Sequence, residues 1–335
     1  MAHQPHSRSR VTLKDVAREA GVSVSTASRA LAGNPVITAS TREHVVATAG
    51  TLGYRPNAQA RALKGARTNT LGVIVPTLAN HYFATMVTAI EHAASQQRQL
   101  TIVVSNREDP AELANALEIL RSQRVDGIIC VPHEGARAAI EEAADTPMVL
   151  IDREVDAAIP TIVSEAAAAI DEAVGALAPH GRLGYVAGPA STSTGRRRTA
   201  AFHEACRRRG ITDAATYTGG YTRESGRAGA DALLDAGATA LLAGDSMMTI
   251  GALDACHRRG VTLGEDVLLV GFDRHPVFEL QPVPVAVIDQ DVEAMATRAW
   301  ALLDALIDGQ PPPAGVIRTP ALLVPRPSMN PLIRR

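Results

Sequence analysis

The segment VTLKDVAREAGVSVSTASRALAG, residues 11–33, decides how the first part of the chain folds. Thr12 and Asp15 have the spacing of a capping box, which predicts that a helix begins there and runs over 13–20. Gly21 follows that helix, and glycine readily takes the positive φ of a tight turn. The segment therefore predicts a short helix that ends in a sharp change of direction.

A second helix follows the turn. Ser23 is a favourable N-cap for a helix that runs through Leu31. Ser40 and Glu43 form another capping box and predict a third helix over 41–52. Two short helices joined by a tight turn and followed by a supporting helix form a helix-turn-helix.

The second helix is rich in hydroxyl side chains, although serine and threonine are mediocre helix formers. On a helix in the major groove of DNA, short hydroxyls allow close approach and bond phosphates or base edges. We expect Val24, Ser25 and Arg29 to face the bases. The alternative is a surface helix with solvated serines. The hydroxyl residues concerned are Ser23, Ser25, Thr26 and Ser28.

Charge is distributed unevenly along the 335 residues. Residues 1–66 carry nine basic and three acidic side chains, whereas the remaining 269 residues have eight more acidic than basic ones. A basic head on an acidic body is typical of a protein that binds a polyanion such as DNA. The alternative is the basic terminus found in many unrelated proteins.

Composition limits the classes of protein to which the chain can belong. The chain is 46% hydrophobic, so it can bury a sizeable core. We find neither an apolar run long enough for a membrane span nor a secretory signal. The three cysteines are widely separated, which fits a reducing cytoplasm. We expect a cytoplasmic, nucleoid-associated protein without cofactor or metal.

From residue 71 onward, short apolar strands alternate with helices. This pattern predicts α/β architecture with parallel sheets, and its two similar series predict two doubly wound lobes. Ligands bind such sheets outside the carboxyl ends of the strands. The predicted strands are LGVIVP (71–76), LTIVVS (100–105), VDGIIC (125–130), PMVLID (147–152), LGYVAG (183–188), TALLAG (239–244) and VLLVGF (267–272).

The segment 11–33 resembles the N-terminal signature of the lactose/galactose repressor family of bacterial transcription regulators. The resemblance continues through TREHVVATAGTLGYRPNAQARALKG at 41–65 and extends to LLVPRP near the end of the chain. It implies an all-α DNA-binding head and a body like the periplasmic sugar-binding proteins, crossed three times by the chain. The implied domains are a helix-turn-helix domain at 1–56 (ordered over 10–56), a hinge at 57–66, and a body at 67–335 with lobes of about 67–162 plus 291–319 and 163–290 plus 320–332.

The hinge segment of the family folds into a short helix when two subunits meet on DNA. Leu63 matches the leucine that enters the minor groove there, and such wedges kink DNA. The alternative is a linker leucine that packs on the body. The full set of DNA contacts that the pattern and the resemblance imply is Thr12, Val24, Ser25, Thr26, Ser28, Arg29, Tyr54, Asn57, Ala60, Arg61, Leu63 and Lys64.

Loops at the predicted strand ends carry candidate effector contacts. The resemblance places an arginine, several carboxylates and aromatic rings there, which suits a sugar or sugar derivative. Arg196 and Arg197 are interpreted as solvated helix charges. The implied effector-binding residues are Asn80, Tyr82, Phe83, Asp152, Arg153, Thr194, Arg198, Tyr221, Asp245 and Asp273.

Three positions depart from the family pattern. His81 replaces a usual proline, Ser164-Glu165 stands where many members carry Asp-Asn, and Arg274 stands where a second acid is usual. These departures put an ordinary neutral hexose in doubt and allow an anionic effector.

The sequence as a whole predicts a dimeric transcription regulator, most simply a repressor. We expect it to bind a near-palindromic operator, and we expect a small molecule to control this binding. One alternative is a regulator that no longer responds to a ligand. Another is a free solute-binding protein, which the DNA-binding head argues against. An enzyme is disfavoured because we find no catalytic or metal-binding signature.

Overall fold

The computed structural model describes residues 11–54, 67–313 and 315–331. The chain divides into two compact units, Met1–Thr68 and Asn69–Arg335. The first unit is helical and the second contains two six-stranded sheets. The predicted fold class is confirmed.

The first unit contains the helices α1 (Leu13–Glu19), α2 (Val24–Leu31) and α3 (Ala39–Thr51). The predicted capping box is present at α1, because Thr12 and Asp15 each accept a bond from the other's backbone N–H. Gly21 has a φ of +63° in the turn that follows. The two helices of the motif therefore begin and turn where local sequence chemistry directs them.

The third helix begins differently from the prediction. The side chain of Thr38, rather than that of Ser40, accepts a bond from the backbone N–H of Thr41. Thr38 has the non-helical backbone of an N-cap, whereas Ser40 already lies in the first turn. The interpretation of Ser40 and Glu43 as a capping box was therefore wrong, because Thr38, two residues earlier, takes the N-cap position.

Small apolar side chains hold the three helices together. Each helix buries only one face, so the opposite faces stay in solvent. The buried residues of this core are Val16, Ala17, Ala20, Ala27, Ala30, Val45 and Ala49.

The second unit alternates strands and helices throughout. In chain order its elements are β1 (Thr70–Val75), α4 (His81–Gln96), β2 (Leu100–Ser105), α5 (Pro110–Ser122), β3 (Gly127–Cys130), α6 (Arg137–Glu142), β4 (Met148–Ile151), β5 (Thr161–Glu165), α7 (Ala167–Leu177), β6 (Leu183–Ala187), α8 (Ser193–Arg208), β7 (Ala215–Thr218), α9 (Arg223–Asp235), β8 (Ala240–Ala243), α10 (Ser246–Arg259), β9 (Leu268–Phe272), α11 (Pro276–Glu279), β10 (Ala286–Asp289), α12 (Val292–Ile307), β11 (Val316–Pro320) and β12 (Leu322–Val324).

Each sheet forms the centre of one lobe. The first has the order β11-β5-β4-β3-β1-β2 and is parallel throughout. The second has the order β12-β10-β9-β8-β6-β7, and β12 runs antiparallel to its neighbour. Apolar clusters flank both sheets, as expected when helices cover both faces.

The chain passes between the two sheets at three crossovers. They connect β5 to α7, β10 to α12, and β11 to β12. α12 packs on the first sheet, where Trp300 joins a core with Ile90. β5 stays in the first sheet to Glu165, a few residues beyond the crossover implied by the resemblance.

Within the described ranges, the helices are too short or too polar to cross a membrane.

Candidate functional sites

The exposed face of α2 carries the side chains that the sequence assigned to base contact. Val24 is 40% exposed, and Ser25 and Arg29 also face solvent. Ala27 and Ala30 lie on the opposite face and are buried. α2 therefore keeps one face free of the core of its own unit, and base contact by this face stays a prediction.

Part of the hydroxyl content of α2 serves to start the helix. The Ser23 Oγ accepts a bond of 3.0 Å from the backbone N–H of Thr26. It also lies 2.8 Å from the hydroxyl oxygens of both Ser25 and Thr26. The Ser23 hydroxyl thus satisfies one of the backbone donors that every helix start leaves open, as predicted, and the hydroxyls of Ser25 and Thr26 surround it.

The remaining predicted DNA contacts have different environments. The Thr12 hydroxyl donates to an Asp15 carboxylate oxygen at 2.7 Å. Ser28 is half-buried, and Tyr54 packs against the helical core. Five predicted contacts lie outside the described residues: Asn57, Ala60, Arg61, Leu63 and Lys64.

In the second unit, the structure brings all ten candidate effector residues together around one cavity of about 20 Å³ between the lobes. Gln290, which the sequence analysis missed, lines the same cavity. Asn80, Tyr82, Phe83, Asp152 and Arg153 come from the first lobe, and Thr194, Arg198, Tyr221, Asp245 and Asp273 come from the second.

The strand ends explain this convergence. The residues follow the carboxyl ends of β1, β4, β6, β7, β8, β9 and β10, and these ends face each other across the cleft. In parallel sheets the loops after the strands form the usual ligand crevice.

Arg198 occupies the centre of the second lobe's wall. Its guanidinium donates to the Gly244 carbonyl and to the Gln290 side-chain oxygen, both at 2.7 Å. It also lies over the Phe272 ring, 4.3 Å from the ring centroid. The Gln290 amide nitrogen in turn donates to Asp273 at 2.6 Å. Arg198, Gln290 and Asp273 therefore form one buried polar chain.

Asn80 joins the two lobes across the cavity. Its side-chain nitrogen donates to Asp245 at 3.3 Å, and its side-chain oxygen accepts from the Ser246 hydroxyl at 3.1 Å. Within the first lobe, the Tyr82 hydroxyl donates to Asp152 at 2.9 Å. The walls of the cleft thus bond to each other through amide and carboxylate groups.

Arg153 is already paired within its own lobe. Its guanidinium donates two bonds to the Glu108 carboxylate at 2.6 and 2.7 Å, and only 4% of its side chain is exposed. Arg153 is therefore held in place as part of the cavity wall.

In the other lobe, the hydroxyl oxygens of Thr194 and Tyr221 lie 3.0 Å apart.

Burial shapes the electrostatics of the cleft. It raises the pKa of Asp273 to about 7, and it raises the pKa values of Asp152 and Asp245 as well. The shifts follow because a buried carboxylate loses hydration that its neighbours replace only in part. The cavity thus brings three carboxyl groups beside two guanidinium groups, those of Arg153 and Arg198.

A histidine pair also joins the lobes. His81 begins α4 and His275 precedes α11, and their ring centroids lie 4.5 Å apart. The His275 Nδ1 accepts a bond from the backbone N–H of Val277 at 3.1 Å. Burial and the nearby His81 lower the pKa of His275.

Arg196 is exposed on α8, as its interpretation as a solvated helix charge predicted, whereas the same interpretation was wrong for Arg197, which is half-buried between the lobes. Arg196 pairs with Glu134 of the first lobe at 2.9 Å. Arg197 pairs with Glu154 of that lobe at 2.7 Å and also with Glu165. No local sequence pattern indicates these pairs, because their partners lie more than thirty residues away.

The helix-turn-helix head and the body of two parallel-sheet lobes around a polar cleft are the features that the resemblance to bacterial transcription regulators implies. The model for bacterial regulatory proteins of the lacI family matches residues 12–57, and the periplasmic binding protein-like domain matches 177–329. Catabolite control protein A of Streptococcus mutans is 31% identical over 268 residues, which span 78% of this chain and 80% of that protein.

Solved structures give the same result. The lac repressor dimer bound to operator and the anti-inducer ONPF is 30% identical, with a TM-score of 0.85 over 96% of this chain and 99% of that one. A probable LacI family regulator from Corynebacterium glutamicum is 44% identical, with a TM-score of 0.73 over 78% and 99% of the two chains. The CelR–cellobiose complex is 25% identical, with a TM-score of 0.71 over 95% and 100%.

The chain belongs to the lacI family of bacterial regulatory proteins. It is a DNA-binding transcription regulator, and the suspected resemblance to the lactose/galactose repressor family is confirmed.

Proposed function

We propose that the protein is a repressor that binds a near-palindromic operator as a homodimer and responds to a small effector in the interlobe cleft. Two-fold symmetry of the dimer requires two half-sites, each contacted by one head. The similarity to an operator-bound lac repressor dimer supports this arrangement. The protein would act in the cytoplasm, by binding rather than by catalysis.

The observation that carries the effector proposal is that all ten predicted effector residues, five from each lobe, line one cavity. A ligand there would contact both lobes at once, so its binding energy would depend on their relative position. A coupling of about 1–3 kcal/mol between effector and operator suffices for regulation.

The three departures from the family pattern, which allowed an anionic effector, lie outside the lining of this cavity. The chemistry of the cavity itself favours a neutral, polyhydroxylated effector such as a sugar or sugar derivative. Carboxylates and amides accept and donate bonds to hydroxyl groups, and Tyr82, Phe83 and Tyr221 offer rings for its C–H faces. An anionic effector would meet three carboxyl groups, while Arg153 is already paired with Glu108. The CelR–cellobiose complex is a structural neighbour with a sugar ligand.

The DNA side of the proposal extends to the segment at 57–66, which we propose to be a hinge that orders on the operator. Leu63→Ala should weaken binding to operator DNA while leaving binding to unrelated DNA unchanged, because an apolar wedge acts at one specific base step. Anisotropy titrations on both DNAs measure this, and equal losses would contradict the wedge role.

One observation favours a second candidate, a regulator that no longer responds to a ligand. The cavity holds only about one water, and the side chains of its walls bond to each other. In that case the lobes would keep one arrangement and operator affinity would not change with any small molecule.

The test has two measurements on the same protein. An operator is first selected from random DNA, and its binding is followed by fluorescence anisotropy while sugars, sugar phosphates and nucleosides are added. Thermal unfolding with the same panel then detects any compound that stabilises the folded chain. A compound active in both measurements supports the proposal, whereas operator binding that no compound alters favours the second candidate.

A variant pair locates the effector. Arg198→Ala should abolish the shift in melting temperature and the change in operator affinity, since Arg198 lies at the centre of the cavity wall. Arg207→Ala serves as the control, because Arg207 lies on the same helix but pairs with Glu204 of that helix. An Arg198 variant with a normal response would remove this residue from the site.

A further inference from the structure

A network of four charged side chains joins the lobes outside the cavity. Arg197 of α8 contacts the carboxylates of Glu154, at 2.7 Å, and Glu165. Arg318 of β11 contacts the same two carboxylates, at 2.9 and 3.6 Å. Two guanidinium groups and two carboxylates thus alternate in a balanced cluster, and only Arg197 belongs to the second lobe.

This network lies on the crossovers between the lobes. Glu165 is the last residue of β5, just before the first crossover. Arg318 lies in β11, just before the third, and the two segments are joined where the Ala321 N–H donates to the Glu165 carbonyl at 2.9 Å. Arg197 therefore bonds directly to the end of β5, and through the shared carboxylates it is linked to Arg318 of β11.

The next residue of α8 contacts the remaining crossover. Arg198 donates to Gln290, which lies between β10 and α12. The first turns of α8 are thus bonded directly to the first crossover through Arg197 and to the second through Arg198, and they are linked to the third only through the carboxylates that Arg197 shares with Arg318. A rotation of one lobe against the other changes both sets of bonds together.

We propose that Arg197 is a positioning residue, which ties α8 to the crossover strands and holds the lobes closed around Arg198. The inference deepens the proposed function, because it assigns the residue that sets lobe closure before any effector binds. Between 26% and 43% of each side chain in the network is exposed. Salt therefore screens the network, and high ionic strength should loosen the closed arrangement.

One backbone amide reports directly on closure. The Glu154 N–H donates to the Ser193 hydroxyl at 2.9 Å, a bond that crosses from the first lobe to the second. When the lobes separate this amide loses its partner and exchanges with solvent. Hydrogen exchange of the peptide around residues 152–157, measured by mass spectrometry on the full chain, follows lobe opening without any DNA or effector.

The experiment compares wild type, Arg197→Gln and the control Arg207→Gln at low and high NaCl. At low salt, exchange at Glu154 should be about fivefold faster in Arg197→Gln, whereas Arg207→Gln should match wild type. At high salt, wild type should approach Arg197→Gln. Equal protection in wild type and Arg197→Gln at low salt would overturn the proposal.

If Arg197→Gln loses hydrogen-exchange protection throughout the chain, the variant is destabilised as a whole, and Glu165→Gln then provides the test. This variant removes one carboxylate from the network, and it should accelerate exchange at Glu154 to a smaller extent. Unchanged exchange in Glu165→Gln would refute the role of the network. The measurement needs no effector, so its outcome is independent of the effector proposal. Faster exchange in Arg197→Gln would support the role of Arg197 even if no small molecule alters operator binding, and unchanged exchange would refute that role even if an effector is found.

Discussion

Asp152 and Asp273 occupy matching positions in the two lobes. Each directly follows a strand, β4 or β9, and each has a left-handed backbone, with φ of 71° and 64°. Each backbone N–H donates at 2.8 Å to the neighbouring strand, to the carbonyl of Ile162 in one lobe and of Ile288 in the other. The two lobes thus present equivalent carboxyl groups to one cavity from opposite sides.

Asp273→Asn should stabilise the protein above neutral pH. The pKa of this carboxyl rises from 3.8 when unfolded to about 7 when folded. The folded chain therefore binds the extra proton between these values, and wild type loses stability as pH rises from about 4 to 7. Asparagine tolerates the left-handed backbone and can still accept from Gln290. We expect a gain of about 1–3 kcal/mol at pH 8 that narrows towards pH 4.

Calorimetric melting at pH 8 and pH 5 measures this gain. Asp213→Asn, in an exposed loop, is the control and should leave the profile unaltered. A constant difference between the Asp273 variant and wild type at both pH values would contradict the prediction.

His275 should produce the opposite pH dependence. Its pKa is lowered on folding from 6.5, so the unfolded chain binds more protons as pH falls through 6.5. The contribution of the neutral His275 ring to the free energy of unfolding is fully present above pH 6.5 and is lost as the pH falls below that value. His275→Asn keeps an acceptor for the Val277 N–H and should flatten the acid limb of the profile.

Melting temperatures between pH 7.5 and pH 5.5 test the histidine prediction. His133→Asn is the matched control, because His133 also caps a helical turn through Nδ1 but has no ring contact across the lobes. An acid limb that stays equally steep in the His275 variant would show that other groups cause it.

Ser23→Ala should destabilise the helical head by about 1 kcal/mol, because the N–H of Thr26 loses its capping oxygen. Ser28→Ala is the control, since Ser28 lies inside α2, where alanine is the better helix former. Circular dichroism during thermal unfolding compares the two variants. Equal melting curves would refute the capping role.

Arg29→Ala should lower affinity for the selected operator by about 1–3 kcal/mol, while binding to random DNA changes much less. Arg29 is exposed on α2 beside Val24 and Ser25. Arg18→Ala removes an equal charge from α1, where Arg18 pairs with Asp15. Equal losses of operator affinity in the two variants would assign Arg29 to general electrostatics.

Local chemistry made much of the head predictable. The capping side chains at Thr12 and Ser23 act within three residues, so the sequence contains the whole interaction. At α3, Thr38 and Ser40 were both chemically suitable caps. Only the backbone conformation of Thr38 decides between them.

The cavity was predictable mainly through the family resemblance, which supplied ten of its residues. These include Tyr221, although its strand β7 was missing from the predicted strands. Gln290 follows β10, which the strand pattern also missed because only the segment AVID forms it, and the resemblance did not indicate this residue. The pairs of Arg197 escaped prediction for a different reason. Glu154 and Glu165 meet it only after both lobes have folded, so no local pattern reports them.

The order of the strands also has a consequence during protein synthesis. The first sheet needs β11 at its edge and α12 against its face, and both are made after all of the second sheet except its edge strand β12. On the ribosome, the strands β1 to β5 therefore keep the apolar surface that α12 covers exposed until almost the entire chain has been translated. The head can complete its own small core soon after it emerges, whereas both lobes need strands from the last twenty residues, β11 for the first and β12 for the second, before they finish folding.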